Sequence, residues 1–154
     1  MAGKLKSELK QTKEFTRIEE EANLNIIRTA EFLMAAMAEV MKQESLTLTQ
    51  YNALRILRGA GEKGLMCVEI GERMVTKESD ITRLLDRLET RGLVSRERPA
   101  DNRRVVITRI TAEGSKLLSR LDQPVANANV KLSGRLSKTQ LTSLIEILET
   151  IREN

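Results

Sequence analysis

From Ile18 to Gln43 apolar side chains return every three or four residues, at Ile18, Ala22, Ile26, Ala30, Leu33, Met37 and Met41, and the spacing predicts one stripe of a long helix. A stripe of that length needs a partner. The next run, SLTLTQYNALRILRGAG, opens on a Thr47–Gln50 pair, each able to cap the other's backbone N–H, and stops at Gly59 to Gly61. It reads as a second helix. GLMCVEIGERM gives a short third one, with Val68 (or Cys67), Ile70 and Met74 on its apolar side. After Val75-Thr76-Lys77, the segment ESDITRLLDRLETRG places Ile81, Leu84, Leu85 and Leu88 at i, i+3, i+4 and i+7, and Gly92 stands where a left-handed C-terminal cap belongs.

The period then changes. Leu93–Arg98 and Val105–Ile110 are rich in β-branched residues and are joined by a polar turn containing Pro99, Asp101 and Asn102, so they read as a small hairpin. Thr111 starts another helix, TAEGSKLLSRLDQ, for which a kink or break is expected just before Pro124, because proline removes a backbone donor and clashes with the preceding turn. The last helix starts at Ser137, boxed with Gln140, and carries Leu141, Leu144, Ile145, Leu148 and Ile151 on one face. Nothing later in the sequence can bury that face, so the N-terminal stripe or a second copy must. Residues 1 to about 15 lack a stable apolar period and are expected to fray or form a loose helical lead-in.

Two helices joined by a short turn and followed by a hairpin have the order of a winged helix-turn-helix. Gly71 is the small residue at which the two axes are expected to meet. With the leucine seam of the second helix turned inward, Lys77, Ser79, Thr82, Arg83 and Arg87 stand on its other face. A major groove admits a helix whose first residues reach base edges. A charged helix face is also often merely solvated. Two acids, Glu78 and Asp80, would repel phosphates, accept from cytosine amino groups or restrain neighbouring arginines, and the sequence leaves the three open.

Charge location adds to this picture more than the total does. The formal charge is only +4, yet from Ser95 to Arg109 five arginines stand against Glu97 and Asp101. Arg96, Arg98, Arg103 and Arg104 would repel one another unless an anion lay nearby, and guanidinium suits both phosphate and a narrow minor groove. The hairpin therefore reads as a wing that tracks DNA, with Asp101 orienting Arg103 and with Asn102 and Arg104 at the same tip. A basic hairpin docking an acidic protein partner is the alternative. A surface hairpin of local ion pairs is the plainest reading, although such pairs contribute only about 0 to 1 kcal/mol.

Composition narrows the chemistry. The absence of histidine and the single cysteine leave no Ser-His or Cys-His constellation and no ordinary zinc or copper ligand set, and Gly59, Gly61 and Gly64 lack the Lys-Ser/Thr ending of a phosphate loop. No enzymatic activity, metal or cofactor is expected. Cys67, among apolar neighbours, reads as a small core residue rather than a redox switch. Met34, Met37, Met41 and Tyr51 are candidates for an apolar effector cleft, although methionines at helical spacing more often pack a core. With no basic-then-apolar leader and no apolar run near 20 residues, a soluble cytoplasmic protein without membrane contact is expected.

In order, LTLTQYNALRIL, EIGERM, DITRLLDRLETRGLVSRERPADNRR and ITAEGSKLL resemble the MarR family of winged-helix transcriptional regulators. The resemblance implies a mainly α fold, a winged helix-turn-helix with a small β-hairpin wing flanked by N- and C-terminal dimerisation helices. Residues 1–154 then form one unit, with 1–45 and 112–154 for dimerisation and 46–111 as the DNA-binding lobe. It implies a homodimer on a pseudo-palindromic operator in double-stranded DNA and a helix from about Lys77 to Arg91 in the major groove, with Arg103 in the minor groove. Many members bind small aromatic effectors, which implies a repressor relieved by such a ligand. Lys77 stands where the family often has Ser, which would pass the cap to Thr76. The acids at 78 and 80, and Pro124 within a helix that is usually continuous, also depart from the pattern.

Overall fold

The computed structural model describes Lys4 to Ala100, Asn102, and Arg104 to Glu153. The chain divides into two compact units, one ending at Ala36 and the other beginning at Met37. The first holds α1 (Leu5–Glu8) and most of α2 (Ile18–Met41). The N-terminal lead-in takes the helical form its sequence allows, over one turn in α1, with Leu5 buried and Lys6 paired with Glu14. On α2 the expected stripe is open at its start and closed at its end: Ile18 is 79% and Leu33 37% exposed, Ile26 and Met37 are half-buried, and Met41 is buried, while Ile27 and Phe32, outside the stripe, are 64% and 63% exposed.

The second unit carries the core. Met41 at the end of α2 is fully buried, and a 3-10 turn (Lys42–Glu44) leads into α3 (Leu48–Ala60). Thr47 and Gln50 cap this helix reciprocally as the sequence predicts, at 3.1 and 3.0 Å. Its face of Tyr51, Ala53, Leu54 and Leu57 packs in one cluster with Ile70 of α4 (Cys67–Arg73), with Leu84, Leu85 and Leu88 of α5 (Ile81–Thr90), and with Leu117, Leu118 and Leu121 of α6 (Ala112–Ser133). Aliphatic ridges fill this volume, as a chain with three aromatic residues requires. On α4 Cys67, not Val68, turns to the core; Val68 is 65% exposed.

The hairpin forms as β2 (Val94–Glu97) and β3 (Ile107–Ile110), antiparallel, with Val94 opposite Ile110 and Glu97 opposite Ile107. A third strand is not apparent from the sequence. β1 (Leu65–Met66) pairs with the other edge of β3, so the sheet order is β1-β3-β2. Two residues show no alternation, and they lie inside what the apolar spacing presents as the start of a helix.

α5 ends in the predicted way. Gly92 has φ +69°, its N–H reaches the Glu89 carbonyl at 2.8 Å, and the Leu93 N–H reaches that of Leu88 at 3.0 Å, which together make a Schellman cap. The chain then returns on itself at close range. The Thr111 hydroxyl donates to the Gly92 carbonyl and accepts from the Gly114 N–H. A Cβ on Gly114 would lie 2.2 Å from the Leu93 carbonyl oxygen, so only glycine lets α6 begin there.

Pro124 does not break α6, which runs from Ala112 to Ser133. One helical bond is lost, because Pro124 has no N–H to offer the Arg120 carbonyl. Leu117, Leu118 and Leu121 before it, and Val125 after it, are held against the core, and that packing outweighs the local cost. α7 (Lys138–Arg152) follows, boxed by Ser137 and Gln140 as expected, and buries no residue.

Candidate nucleic-acid interface

α4, the turn after it and α5 form the helix pair. Asn52 on α3 accepts from the Val75 N–H at 2.8 Å and pins the turn to the scaffold. The axes approach at Gly71 and Ile81, but a Cβ on Gly71 would sit 3.5 Å from Ile81 Cγ1, an ordinary contact. Gly71 is therefore not the obligatory small residue that the sequence suggests. Cys67 is half-buried beside Thr82, with Sγ 3.8 Å from Oγ1.

The start of α5 differs from expectation. The helix begins at Ile81 rather than near Lys77, and its N-cap is Asp80, not Thr76; the Asp80 carboxylate accepts from the Arg83 N–H at 2.8 Å. An acid at this end satisfies an orphan donor and opposes the positive pole of the helix. Asp80 is thus explained by capping, and Lys77 and Ser79 belong to the segment leading into the helix. Lys77, Ser79, Thr82, Arg83 and Arg87 are all exposed, while Leu84, Leu85 and Leu88 face inward.

The arginines of the hairpin fall into two groups. Arg96 on β2 bonds Glu89 and Asp86 of α5, at 2.6 and 2.5 Å from Nη2, and its pKa is raised above the ordinary arginine value by Glu89 first and Asp86 second. Arg109 on β3 pairs with Glu97 and donates from Nε to the Glu62 carbonyl, both at 2.5 Å. These two build the base of the wing, so mutual repulsion among all the arginines overstated their claim on an outside anion. Arg98, Asn102 and Arg104 are exposed towards the tip. Asn102 also orders the turn: its N–H reaches the Pro99 carbonyl, its carbonyl accepts from Val105, and its Oδ1 accepts from the Arg104 N–H, each at 3.2 Å. Asp101 and Arg103 lie outside the described residues.

At the far end of α5, Arg91 donates to the carbonyls of Ser45 and Glu44 at 2.8 and 3.0 Å, and the Glu44 carboxylate takes a two-pronged bond from Arg120 of α6. That bond holds the Glu44 carboxyl below its ordinary pKa. Sequence reasoning missed Arg91, Asn52 and the Arg96 bridge, because each joins positions that no helical or strand period connects.

Of the four candidates for an effector cleft, Met41 and Tyr51 are buried in the core, Met37 is half-buried against it, and Met34 is 44% exposed. Among the described residues no helix is long and apolar enough to cross a membrane.

Comparison with known proteins adds to the geometry. The model of the MarR family matches residues 46–106. The chain is similar to a MarR transcription factor from Planctomyces limnophilus, with 39% identity, a TM-score of 0.69 and coverage of 89% of this chain and 99% of the other. It shares its fold with a mutant MarR from E. coli solved in complex with operator DNA, at 21% identity and a TM-score of 0.77, covering 88% and 99% of the two chains. The PcaV transcriptional regulator from Streptomyces coelicolor, solved in complex with its natural ligand, is 26% identical with a TM-score of 0.68, covering 80% of this chain and 89% of its own.

Proposed function

The chain belongs to the MarR family of transcriptional regulators, and from that premise we propose that it represses transcription as a homodimer whose two winged-helix lobes hold a pseudo-palindromic operator. Residues 46–111 form the DNA-binding lobe, and 1–45 and 112–154 supply the dimerisation helices. In each lobe Thr82 and Arg83 on the first turn of α5, with Ser79 on the segment just before it, read the major groove, Lys77 and Arg87 approach phosphates, and Arg98, Asn102, Arg103 and Arg104 follow the backbone and minor groove, with Asp101 orienting Arg103.

One observation carries this reading. The exposed polar face of α5 and the exposed tip of the wing are borne by elements locked to one another and to one core, which is what simultaneous engagement of adjacent grooves requires. The named relatives, regulators of transcription, favour duplex DNA over the acidic protein that a basic hairpin alone would also suit. Relief by a small aromatic effector belongs to the same proposal and is supported by the liganded relative. Met41 and Tyr51 would touch such a ligand only if the core opened around them. Thermal shift against aromatic acids measures this step, since a ligand of the native state raises its apparent stability.

Selection of preferred duplexes from a random pool tests the whole reading. Half-sites about 10 base pairs apart centre to centre are the expected result for a two-fold dimer; recovery of no preferred sequence overturns it. On the selected duplex, Arg104→Ala lowers affinity on all sequences alike and reduces the salt slope by about 0.9. An unchanged slope removes Arg104 from the phosphate contacts.

A further inference from the structure

Arg96 stands between the two elements that the proposed function sends into adjacent grooves, and the role inferred for it rests on that reading. Its Nε and Nη2 donate to Glu89 Oε2 at 2.9 and 2.6 Å, and Nη2 reaches Asp86 Oδ1 at 2.5 Å. Asp86 and Glu89 are i, i+3 neighbours on the flank of α5 beside Thr82, outside the leucine seam. The Arg96 side chain is only 23% exposed, against 53% for Asp86 and 39% for Glu89, so the guanidinium is turned into the protein and presents little to a phosphate.

We propose that Arg96 is a positioning residue for operator recognition: it sets the angle of the wing against α5 without itself touching DNA. A planar fork can hold two carboxylates in fixed directions at once, which a lysine ammonium cannot do. Loosening the bridge removes the match between wing and helix while leaving the cations assigned to DNA contact in place. Sequence-specific binding then falls, and generic attraction to DNA does not.

The test uses the full chain with Arg96→Gln, Arg96→Lys and Asp86→Asn, measuring affinity for the selected operator and for a random duplex over a series of salt concentrations. Arg96→Gln is expected to weaken operator binding about tenfold while random-duplex binding and the salt slope stay as in the wild type, with Arg96→Lys between the two. Asp86→Asn gives the opposite sign to simple electrostatics. An acid that merely repelled phosphates would, once neutralised, let every duplex bind tighter; an acid that anchors Arg96 weakens the operator when it is lost.

A uniform loss on all duplexes in Arg96→Gln, with a salt slope smaller by about 0.9, would make Arg96 a phosphate contact and overturn the proposal. Tighter binding of every duplex by Asp86→Asn overturns it as well. Should the wild type bind no duplex, the functional reading fails on its own, and amide exchange in the free protein still judges the bridge. Faster exchange at Val94–Glu97 and Ile107–Ile110 in Arg96→Gln supports the tie, and unchanged exchange overturns it.

Discussion

α5 and α7 carry nearly the same apolar code and meet opposite fates. In α5 the seam of Leu84, Leu85 and Leu88 is at most 6% exposed, closed by α3, α4 and the strands after it. In α7 the seam that includes Leu144, Ile145 and Ile151 is 42%, 55% and 47% exposed, although the helix is well capped and complete. Burying one Leu or Ile side chain stabilises by about 1.5 to 3 kcal/mol, so a row of them left in water marks a face awaiting a partner. Periodicity thus identifies which face must be covered and says nothing of which chain covers it. The lobe is closed within one chain; the flanking helix is not, and a second copy is the partner that the proposed dimer supplies.

The comparison breaks most readily at Leu88. Its side chain is fully buried, and Leu88→Ala is expected to cost about 2 to 5 kcal/mol, read by urea or thermal unfolding of the full chain. A loss near that of a surface substitution, within about 0.5 kcal/mol, would mean that the α5 seam is not the closed core described here.

Ile145→Asp sharpens the other side. At an exposed position in the single chain it should leave the lobe folded, yet it places a charge on the face assigned to the partner. Sedimentation velocity is expected to show monomers where the wild type is dimeric, with operator binding weakened because the two half-sites no longer act through one molecule. An intact dimer would move the interface away from this part of α7.

A smaller effect separates the lobe by its dependence on pH. The Glu44 carboxyl is held below its ordinary pKa, chiefly by the Arg120 guanidinium, with a further contribution from Arg91. A depressed folded value means that the stabilisation is complete above the ordinary carboxylate range and is lost as pH falls through the lower folded value. Glu44→Gln should therefore flatten the acid side of the stability profile and leave neutral pH less stable than in the wild type. An unchanged acid limb would show that the Arg120 bridge contributes nothing to folding.

Much of this was legible in the order of residues, for identifiable reasons. The Thr47 and Ser137 boxes, the α5 seam and Gly92 are local signals, and each reports on neighbours within a turn. β1 was hidden because two residues have no period, and the continuity of α6 through Pro124 because packing at Leu121 and Val125 is not written near the proline. The candidate site was legible in outline, as a polar helix face beside a basic hairpin. The arginines' allegiance was not. Arg96 and Arg109 look like any other arginine of the hairpin in the string, and only the fold brings Asp86, Glu89 and Glu97 against them.

The central claim, that α5 and the wing grip the phosphate backbone of duplex DNA, is tested most directly by the salt dependence of binding to the selected duplex. The logarithm of the association constant should fall linearly with the logarithm of salt concentration, by about 0.9 for each phosphate neutralised, giving a slope of several units. An affinity that stays flat between low and physiological salt would contradict it.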